Sequence, residues 1–552
     1  MAETADATPA TPTDGLFVRN ASGLVREAGL TDTVFFNWVS GGGVGLALVY
    51  NVYWALNAFP GVDLVAATLI TIPFGLAAVA VFALLAAAMP RSGGDYVFVS
   101  RILHPVWGFL SSWAGFISVV SYTGFVAWFT AVAFISGSAA VMGEGLGSDA
   151  LIGFAGWAAS PDGALLLGAI ILLITAGIMA AGLKVALRTI TILAVVGLVG
   201  LVLSAAVLLL SSAETFVASF NSFAEARTGE PDTYNAIITT AADNGFVAGA
   251  SGSAPFGSST LPAMVIAFYA VGYSVWSIYF AGEFKGGRTR GRQVASMLIP
   301  TVLNSVVLVI VFALLFKTAG YEFLGAASYL YNYVPDQYPL TVPPFVNFFA
   351  SLLAGNAVLN VIISITWVVW PIAMIILIMV GFSRVLFAWS FDGVLPAWLS
   401  DVNDRTHAPV KAILVSTVLG LIALWLMVNV AEFLTFLAYG VLLALIFWVS
   451  MAIAAIAFPA RRPQVYAASP ARWTLGGVPV VTAAGVVLGL FVLFEFWVVL
   501  TVPGLGIVDV GAALVVVAVV LGSGLAIFVA SWMLRRARGI DPSYVYREIP
   551  PE

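Results

Sequence analysis

The chain has 552 residues, of which 61% are hydrophobic and 9% are charged, and its formal net charge is −5. A water-soluble domain carries roughly 25% charged residues, so this composition excludes a soluble globular fold for most of the chain. The absence of cysteine excludes disulfides, thiolate metal sites and thiol nucleophiles. No basic run predicts binding to nucleic acid. The composition therefore predicts a protein that folds in lipid.

Apolar runs recur along the chain from residue 33 to residue 534. A helix needs roughly 20 such residues to cross the hydrocarbon. The runs lack the polar and apolar alternation of barrel strands, so the predicted fold class is an all-α polytopic membrane protein with about twelve transmembrane helices. We number the predicted helices 1 to 12 in chain order, and they span 33–57, 62–89, 107–140, 163–182, 185–211, 261–282, 294–317, 348–389, 409–429, 432–458, 477–501 and 510–534.

Lysine and arginine lie almost entirely on one side of these helices. If the N-terminus is cytoplasmic, only Arg227 and Lys317 of the 22 basic residues fall outside, which leaves 20 inside. This asymmetry follows the positive-inside rule. The chain start lacks the basic and apolar stretches of a signal peptide, so helix 1 is predicted to be a retained span. We expect a multi-pass protein of the cell (cytoplasmic) membrane with both termini in the cytoplasm.

Two long connections are predicted on the outer side. Residues 212–260 end in a stretch rich in Gly, Ser, Ala and Pro, which predicts a partly helical and then flexible loop. Residues 321–344 are rich in Tyr and Pro. Either loop could form an outer lid, although a plain connector is the more common role.

Glycines interrupt helix 1 and helix 6. In helix 1, Ser40 is followed by Gly41, Gly42 and Gly43 in mid-span, and each glycine costs about 1 kcal/mol relative to alanine in a regular helix. In helix 6, Gly272 lies at a corresponding place. Glycine-interrupted spans at matching positions of two halves are typical of transporter sites built on inverted repeats.

An unwound turn in a membrane helix provides backbone groups that can bind a solute. Freed amides at the start of a half-helix attract a carboxylate, and freed carbonyls accept hydrogen bonds from an ammonium group. Together these groups match the backbone of an amino acid. The alternative is that Gly41 and Gly45 form a small-residue face that packs against another helix.

Four motifs carry a resemblance to a known family. They are the glycine-rich helix 1, residues 89–96 (Met-Pro-Arg-Ser-Gly-Gly-Asp-Tyr), residues 272–285 of helix 6, and residues 383–396 after helix 8. In order and spacing they resemble the amino acid–polyamine–organocation (APC) superfamily of permeases. The resemblance implies a leucine-transporter-like core of two inverted five-helix repeats, with helices 11 and 12 peripheral.

The resemblance also implies a division of the chain. The expected segments are a cytoplasmic N-terminal segment (1–30), the first repeat with helices 1 to 5 (31–211), an extracellular loop (212–260), the second repeat with helices 6 to 10 (261–458), helices 11 and 12 (459–534) and a cytoplasmic tail (535–552).

A substrate site between helices 1, 3, 6, 8 and 10 is implied as well. The α-carboxylate would meet the amides of the helix 1 break, and the α-amine would meet carbonyls of helix 6. Aromatic side chains nearby could line the pocket, although each is more often a packing residue. The expected substrate-binding residues are Ser40, Gly41, Gly42, Gly43, Tyr122, Phe268, Tyr269, Ala270, Val271, Gly272, Tyr273, Trp276 and Tyr439.

Ionisable residues are missing from the interior of predicted helices 1 to 10, which predicts a site without a fixed counter-charge and a neutral substrate. Some relatives have a lysine in helix 5, but Leu193 occupies that position here. Residues 372–380 of helix 8 contain no hydroxyl that would bind sodium. The coupling ion, sodium or proton, is therefore left open, as are uniport and exchange.

Several charged residues have two interpretations each. Glu495 in helix 11 is a buried acid, interpreted as a structural partner or an oligomer contact rather than a proton carrier. Charged residues at cytoplasmic helix ends form caps and ion pairs between loops, or an inner gate. The gating candidates are Glu283 with Lys285, and Asp392 near Arg384; Asp95 and Arg101 have the same two interpretations.

An enzyme is not predicted. The histidines are His104 and His407, both in predicted loops, and neither a zinc-protease nor a serine-hydrolase motif occurs. We expect no cofactor and no metal. The predicted function is a secondary transporter that moves a small, neutral amino acid or similar solute by alternating access. The alternatives are a channel or a non-transporting sensor on the same fold, or a permease for another organic solute. The expected partners are the small-molecule substrate and the lipid bilayer, with a homo-oligomer left open.

Overall fold

The structure is a computed structural model that describes residues 23–40, 43–248, 257–502, 505, 507 and 509–547. It is mostly helical (80%). Among the described residues, ten helices are long and apolar enough to cross a membrane. Large hydrophobic side chains such as Leu210, Leu490 and Val519 are exposed on the outside of these helices, as lipid contact requires. The chain is thus a multi-pass helical membrane protein.

The ten candidate spans correspond to predicted helices 2 to 5 and 7 to 12. Helix 3 includes a π-helical segment, Thr130–Ile135. The spans are Leu64–Ala88, Pro105–Leu146, Pro161–Ala180, Leu183–Leu210, Arg290–Ala319, Ala357–Phe391, Val410–Asn429, Phe433–Arg461, Val480–Thr501 and Val510–Ala537.

Helices 1 and 6 are interrupted, which is why they are absent from the ten. Helix 1 consists of Leu30–Val39 and Gly43–Tyr50, followed by the π-helical Asn51–Ala55 and the short Leu56–Ala58. Helix 6 begins as the 12-residue helix Thr260–Val271. It continues as two 3-10 turns, Trp276–Tyr279 and Ala281–Glu283.

The predicted span 261–282 is therefore interrupted at Gly272, as its sequence indicated, but residues 273–282 do not continue as α-helix. The amide of Gly272 makes the last α-helical bond, to the Phe268 carbonyl at 2.7 Å. Beyond it, the amide of Ser277 is held by a side chain of helix 1 rather than by its own helix.

Helix 8 also differs at its start from the predicted 348–389. A separate helix, Val346–Leu352, precedes Ala357–Phe391. The break has local causes: Gly355 has a φ of 68°, and the Asn356 side chain caps the second helix by accepting a hydrogen bond from the Leu359 amide at 2.9 Å.

Additional helices occupy the predicted connections. Ala213–Thr228 and Thr233–Asp243 make the first outer loop partly helical, as expected, while residues 249–256 of its glycine-rich stretch lie outside the described residues. The second outer loop contains Tyr321–Tyr333. Asp149–Ala159, between helices 3 and 4, was not predicted. The shorter α-helices are Asp95–Ile102, Pro463–Ala468 and Tyr544–Arg547, and two further 3-10 turns are Pro335–Gln337 and Ala397–Ser400. The strands Thr474–Leu475 and Val478–Pro479 form an antiparallel pair before helix 11.

Helix 8 fills the centre of the protein with large aromatic side chains. Trp370 is completely buried and fits between two glycines. A Cβ atom on Gly45 of helix 1 would lie 2.5 Å from the Trp370 ring, and one on Gly197 of helix 5 would lie 2.6 Å from it. The packing interpretation of the helix 1 glycines therefore applies to Gly45.

Candidate functional site

The ends of the two interrupted helices are bonded to each other. The Ser40 hydroxyl, at the end of the first part of helix 1, donates to the Tyr273 carbonyl at 2.7 Å and the Asn37 carbonyl at 2.6 Å. The Asn37 side chain accepts from the Ser277 amide at 2.8 Å and donates to the Ser277 hydroxyl at 2.8 Å. It also donates to the Ser296 carbonyl of helix 7 at 2.9 Å. The breaks in helices 1 and 6 thus form one polar junction inside the protein.

The carbonyls predicted to bind an amine are already hydrogen-bonded once. The Phe268 carbonyl accepts from the Gly272 amide. The Ala270 carbonyl accepts from the Asn304 side chain of helix 7 at 3.1 Å, and the same side chain lies 3.3 Å from the Ser274 hydroxyl. A carbonyl oxygen has two lone pairs, so each can accept a second hydrogen bond from a solute.

Gly272 has a steric reason for being glycine. A Cβ atom there would lie 2.3 Å from the Phe268 ring, so the absent side chain makes room for that ring. In helix 1, Gly41 and Gly42 lie outside the described residues, and Gly43 begins the second helical segment. The predicted carboxylate contact with these amides stays a prediction.

Three of the predicted tyrosines form a chain beside the junction. The ring centroids of Tyr122 and Tyr269 lie 6.1 Å apart, and those of Tyr269 and Tyr273 lie 4.8 Å apart. Trp448 of helix 10 extends the chain, 4.9 Å from Tyr273. Tyr439, also in helix 10, is buried, but no ring contact joins it to this chain within the described part of the structure.

Trp276 lies apart from the tyrosines, nearer the predicted cytoplasmic side. Its ring centroid is 5.3 Å from that of Tyr279. Both residues line a cavity of about 10 Å³, together with Asp95, Ser112 of helix 3 and Gly381 of helix 8. The walls of this cavity therefore come from helices 3, 6 and 8 and from the connection between helices 2 and 3.

Glu495 of helix 11 faces the interior. It is 4% exposed and lies near Tyr273, and its Oε2 atom has no hydrogen-bond partner within the described part of the chain. Helix 11 packs against helices 2 and 10. This burial argues against the oligomer-contact interpretation, because the carboxyl group is not at a protein surface.

A buried ion pair joins helices 6 and 8. The Glu283 carboxylate accepts from Nε and Nη2 of Arg384, both at 3.1 Å, and the Ser92 hydroxyl lies 3.4 Å from Glu283 Oε1. Bidentate pairs of this kind are strong and directional. Lys285, expected beside Glu283, is exposed, and its amide donates to the Ala28 carbonyl at 2.9 Å.

A second buried pair joins the end of helix 8 to the connection after helix 2. The Arg101 guanidinium donates to the Asp392 carboxylate at 2.5 Å. The guanidinium also lies 5.2 Å from the ring centroid of Tyr546, whose hydroxyl is 3.1 Å from that of Tyr96. Arg535, at the end of helix 12, donates to the Asp392 carbonyl at 2.9 Å. The C-terminal tail therefore covers this pair.

The second outer loop contacts helix 1 on the other side of the protein. The side chain of Asn332 lies 3.3 Å from the Tyr53 carbonyl, and the Tyr331 ring centroid is 6.0 Å from that of Tyr53. Phe345 adds a third ring, 5.8 Å from Tyr53. The second outer loop therefore packs onto helix 1, and its role as a lid or a plain connector stays a prediction.

Sequence patterns missed several residues of the junction. Asn37 and Asn304 are polar residues inside apolar runs, which is a usable signal for a buried hydrogen-bond network. Trp448 gave no such signal, since tryptophan is common in any membrane helix. Within the described part of the chain, no cluster of three or more His, Cys, Asp or Glu residues is arranged to hold a metal ion.

Comparison with models of protein families gives a match. A family model described as amino acid permease matches residues 36–525, which is most of the chain. A search of curated proteins finds no match. The matched range contains the breaks in both interrupted helices and both buried ion pairs.

Proposed function

Because the chain belongs to the amino acid permease family of the APC superfamily, we propose that it is a secondary transporter that moves a small, neutral amino acid or similar solute by alternating access. The observation that carries this proposal is the junction at which Ser40 of helix 1 donates to the Tyr273 carbonyl of helix 6. Two unwound membrane helices that meet provide amides and carbonyls in one place, as a zwitterion requires.

The proposed architecture has twelve membrane helices, with helices 1 to 5 and helices 6 to 10 as two inverted repeats. The position of the breaks supports it, since each break lies in the first helix of its half. We place the repeats at 31–211 and 261–458 and the termini in the cytoplasm. The one-sided distribution of lysine and arginine supports this orientation and a cytoplasmic membrane.

Within the site, the solute carboxylate would bind the amides after Ser40, and its ammonium group would bind the free lone pairs of the Phe268 and Ala270 carbonyls. Tyr122, Tyr269 and Tyr273 would face the side chain of the solute. Their hydroxyl and ring surfaces suit a neutral side chain of small or medium size. Binding would thus depend on backbone geometry, which is common to all α-amino acids.

The two buried ion pairs would form the inner gate. Glu283–Arg384 ties helix 6 to helix 8, and Arg101–Asp392 ties helix 8 to the connection after helix 2. Release of a solute to the cytoplasm requires these elements to separate. Their bonds would therefore break and reform in each transport cycle.

Thermal stabilisation of the purified protein tests this proposal. A ligand that binds the folded state raises the unfolding temperature by mass action. We expect stabilisation by at least one neutral L-amino acid, and none by its N-acetyl or methyl-ester derivative, which lacks one of the two charges. Stabilisation by an amine or nucleobase instead would move the substrate to another class of organic solute.

A further inference from the structure

Asp95 occupies an unusual place for a carboxyl group. It begins the helix Asp95–Ile102 between helices 2 and 3, and it is only 2% exposed. It faces the cavity that it shares with Trp276 and Tyr279 of helix 6 and Ser112 of helix 3. With a volume of about 10 Å³, this cavity is about large enough for one water molecule.

Asp95 lacks the cationic partner that its neighbours have. Of the three buried carboxyl groups on this side of the described structure, Glu283 pairs with Arg384 and Asp392 pairs with Arg101. No described lysine, arginine or histidine forms an ion pair with Asp95, and its Oδ2 atom has no hydrogen-bond partner there.

The groups that face Asp95 favour a neutral carboxyl. Helix 6 presents Tyr279, helix 3 presents the Ser112 hydroxyl, and helix 8 presents the uncharged Gly381 and Phe382. Burial raises the pKa of Asp95 to about 7, and the nearby hydroxyl groups of Tyr279 and Ser112 limit this increase. A carboxylate removed from water without a counter-charge is strongly disfavoured, so the group binds a proton instead.

We propose that Asp95 is a proton-binding site, which takes up one cytoplasmic proton as the inner half of the transporter closes and releases that proton as the inner half opens. The inference rests on the proposed function and adds the proton to it as the linked ion. Opening must separate helix 6 from helices 3 and 8, which form the cavity walls. Water would then reach the carboxyl group, which would ionise to a carboxylate and return its proton to the cytoplasm.

Transport at controlled internal pH tests the linkage. For a pKa near 7, the ionised fraction of Asp95 rises about tenfold between pH 6 and pH 8. We expect amino acid uptake into proteoliposomes to increase up to about tenfold over this interval of internal pH when opening limits the rate. In Asp95→Asn, which cannot ionise, this dependence disappears. In Asp401→Asn, an exposed carboxyl near the same side, the dependence is retained.

Protein stability gives a second test that needs no substrate. The pKa of Asp95 is raised above its ordinary value of 3.8 in the folded protein, so the folded state binds more protons than the unfolded state between those pH values. The contribution of Asp95 to stability is therefore largest at low pH, falls as pH rises from about 4 to about 7, and is level above that. The difference in unfolding temperature between wild type and Asp95→Asn should follow this curve.

Tyr279→Phe provides a change in the opposite direction. It removes a hydroxyl that favours the carboxylate, so the midpoint of the Asp95 titration should move to higher pH.

A wild-type stability curve that matches that of Asp95→Asn would overturn the proton site, even if amino acid transport is observed. Failure of every amino acid to be transported would instead contradict the proposed function, and the stability curves would still decide whether Asp95 binds a proton.

Discussion

Replacement of Glu283 by glutamine should be among the most damaging conservative substitutions in this protein. The change preserves side-chain volume but removes the negative charge that accepts two hydrogen bonds from Arg384, both at 3.1 Å. The two side chains are 2% and 1% exposed, and Ser383 would be left as an acceptor for the guanidinium at 3.1 Å. Loss of one partner from a buried ion pair costs about 3–5 kcal/mol.

The exposed pair of Asp401 and Lys411 is a matched control. Its side chains are 57% and 51% exposed, and such surface pairs contribute about 0–1 kcal/mol. Asp401→Asn should therefore have little effect on the unfolding midpoint in detergent with increasing dodecyl sulfate. The double variant Glu283→Gln, Arg384→Met should recover part of the loss, because it leaves no uncompensated charge. Equal effects of Glu283→Gln and Asp401→Asn would refute this reasoning.

Three other substitutions follow from the contacts described above. Tyr546→Ala removes the ring beside Arg101 and the hydroxyl contact with Tyr96, so limited proteolysis should cut the C-terminal tail faster than in wild type. Glu495→Gln should elute as a folded, monodisperse protein in size-exclusion chromatography whereas Glu495→Lys should aggregate, because the site is buried and holds no described ion pair. Gly45→Leu should lower the unfolding temperature through its clash with a tryptophan, while Gly177→Leu, with nothing within 4 Å, should not.

The sequence predicted the helices well where contact with lipid requires a long run of apolar residues. Long apolar runs predicted ten spans, all but the start of helix 8 close to their observed bounds, because a membrane helix must be apolar over a fixed length. The glycines after Ser40 predicted the interruption of helix 1. Gly272 likewise predicted the interruption of helix 6, which ends at Val271. The 3-10 turns that follow were harder to predict, since the Ser277 amide is held by Asn37, which is 240 residues away in the sequence.

The ion pairs could be foreseen only as a set of charged helix ends. In the sequence, Glu283 lies near Lys285 and Asp392 lies near Arg384. In the structure, Glu283 pairs with Arg384 and Asp392 pairs with Arg101. Partner choice depends on how distant elements pack, which local patterns do not contain. Asp95 illustrates the same limit: it lies between two spans in sequence, where water is expected, yet the connection folds into the protein and buries it.

The most direct test of the central claim is uptake of a radiolabelled neutral L-amino acid, chosen by thermal stabilisation, into proteoliposomes. We predict saturable uptake above empty liposomes, and competition by unlabelled neutral L-amino acids. Ser40→Ala removes a hydrogen bond worth about 0.5–1.5 kcal/mol and should raise the half-saturating concentration roughly two- to tenfold, whereas Gly177→Leu should not. Uptake that never saturates would indicate a channel, and binding without uptake would indicate a sensor; either result would contradict alternating-access transport at the junction of helices 1 and 6.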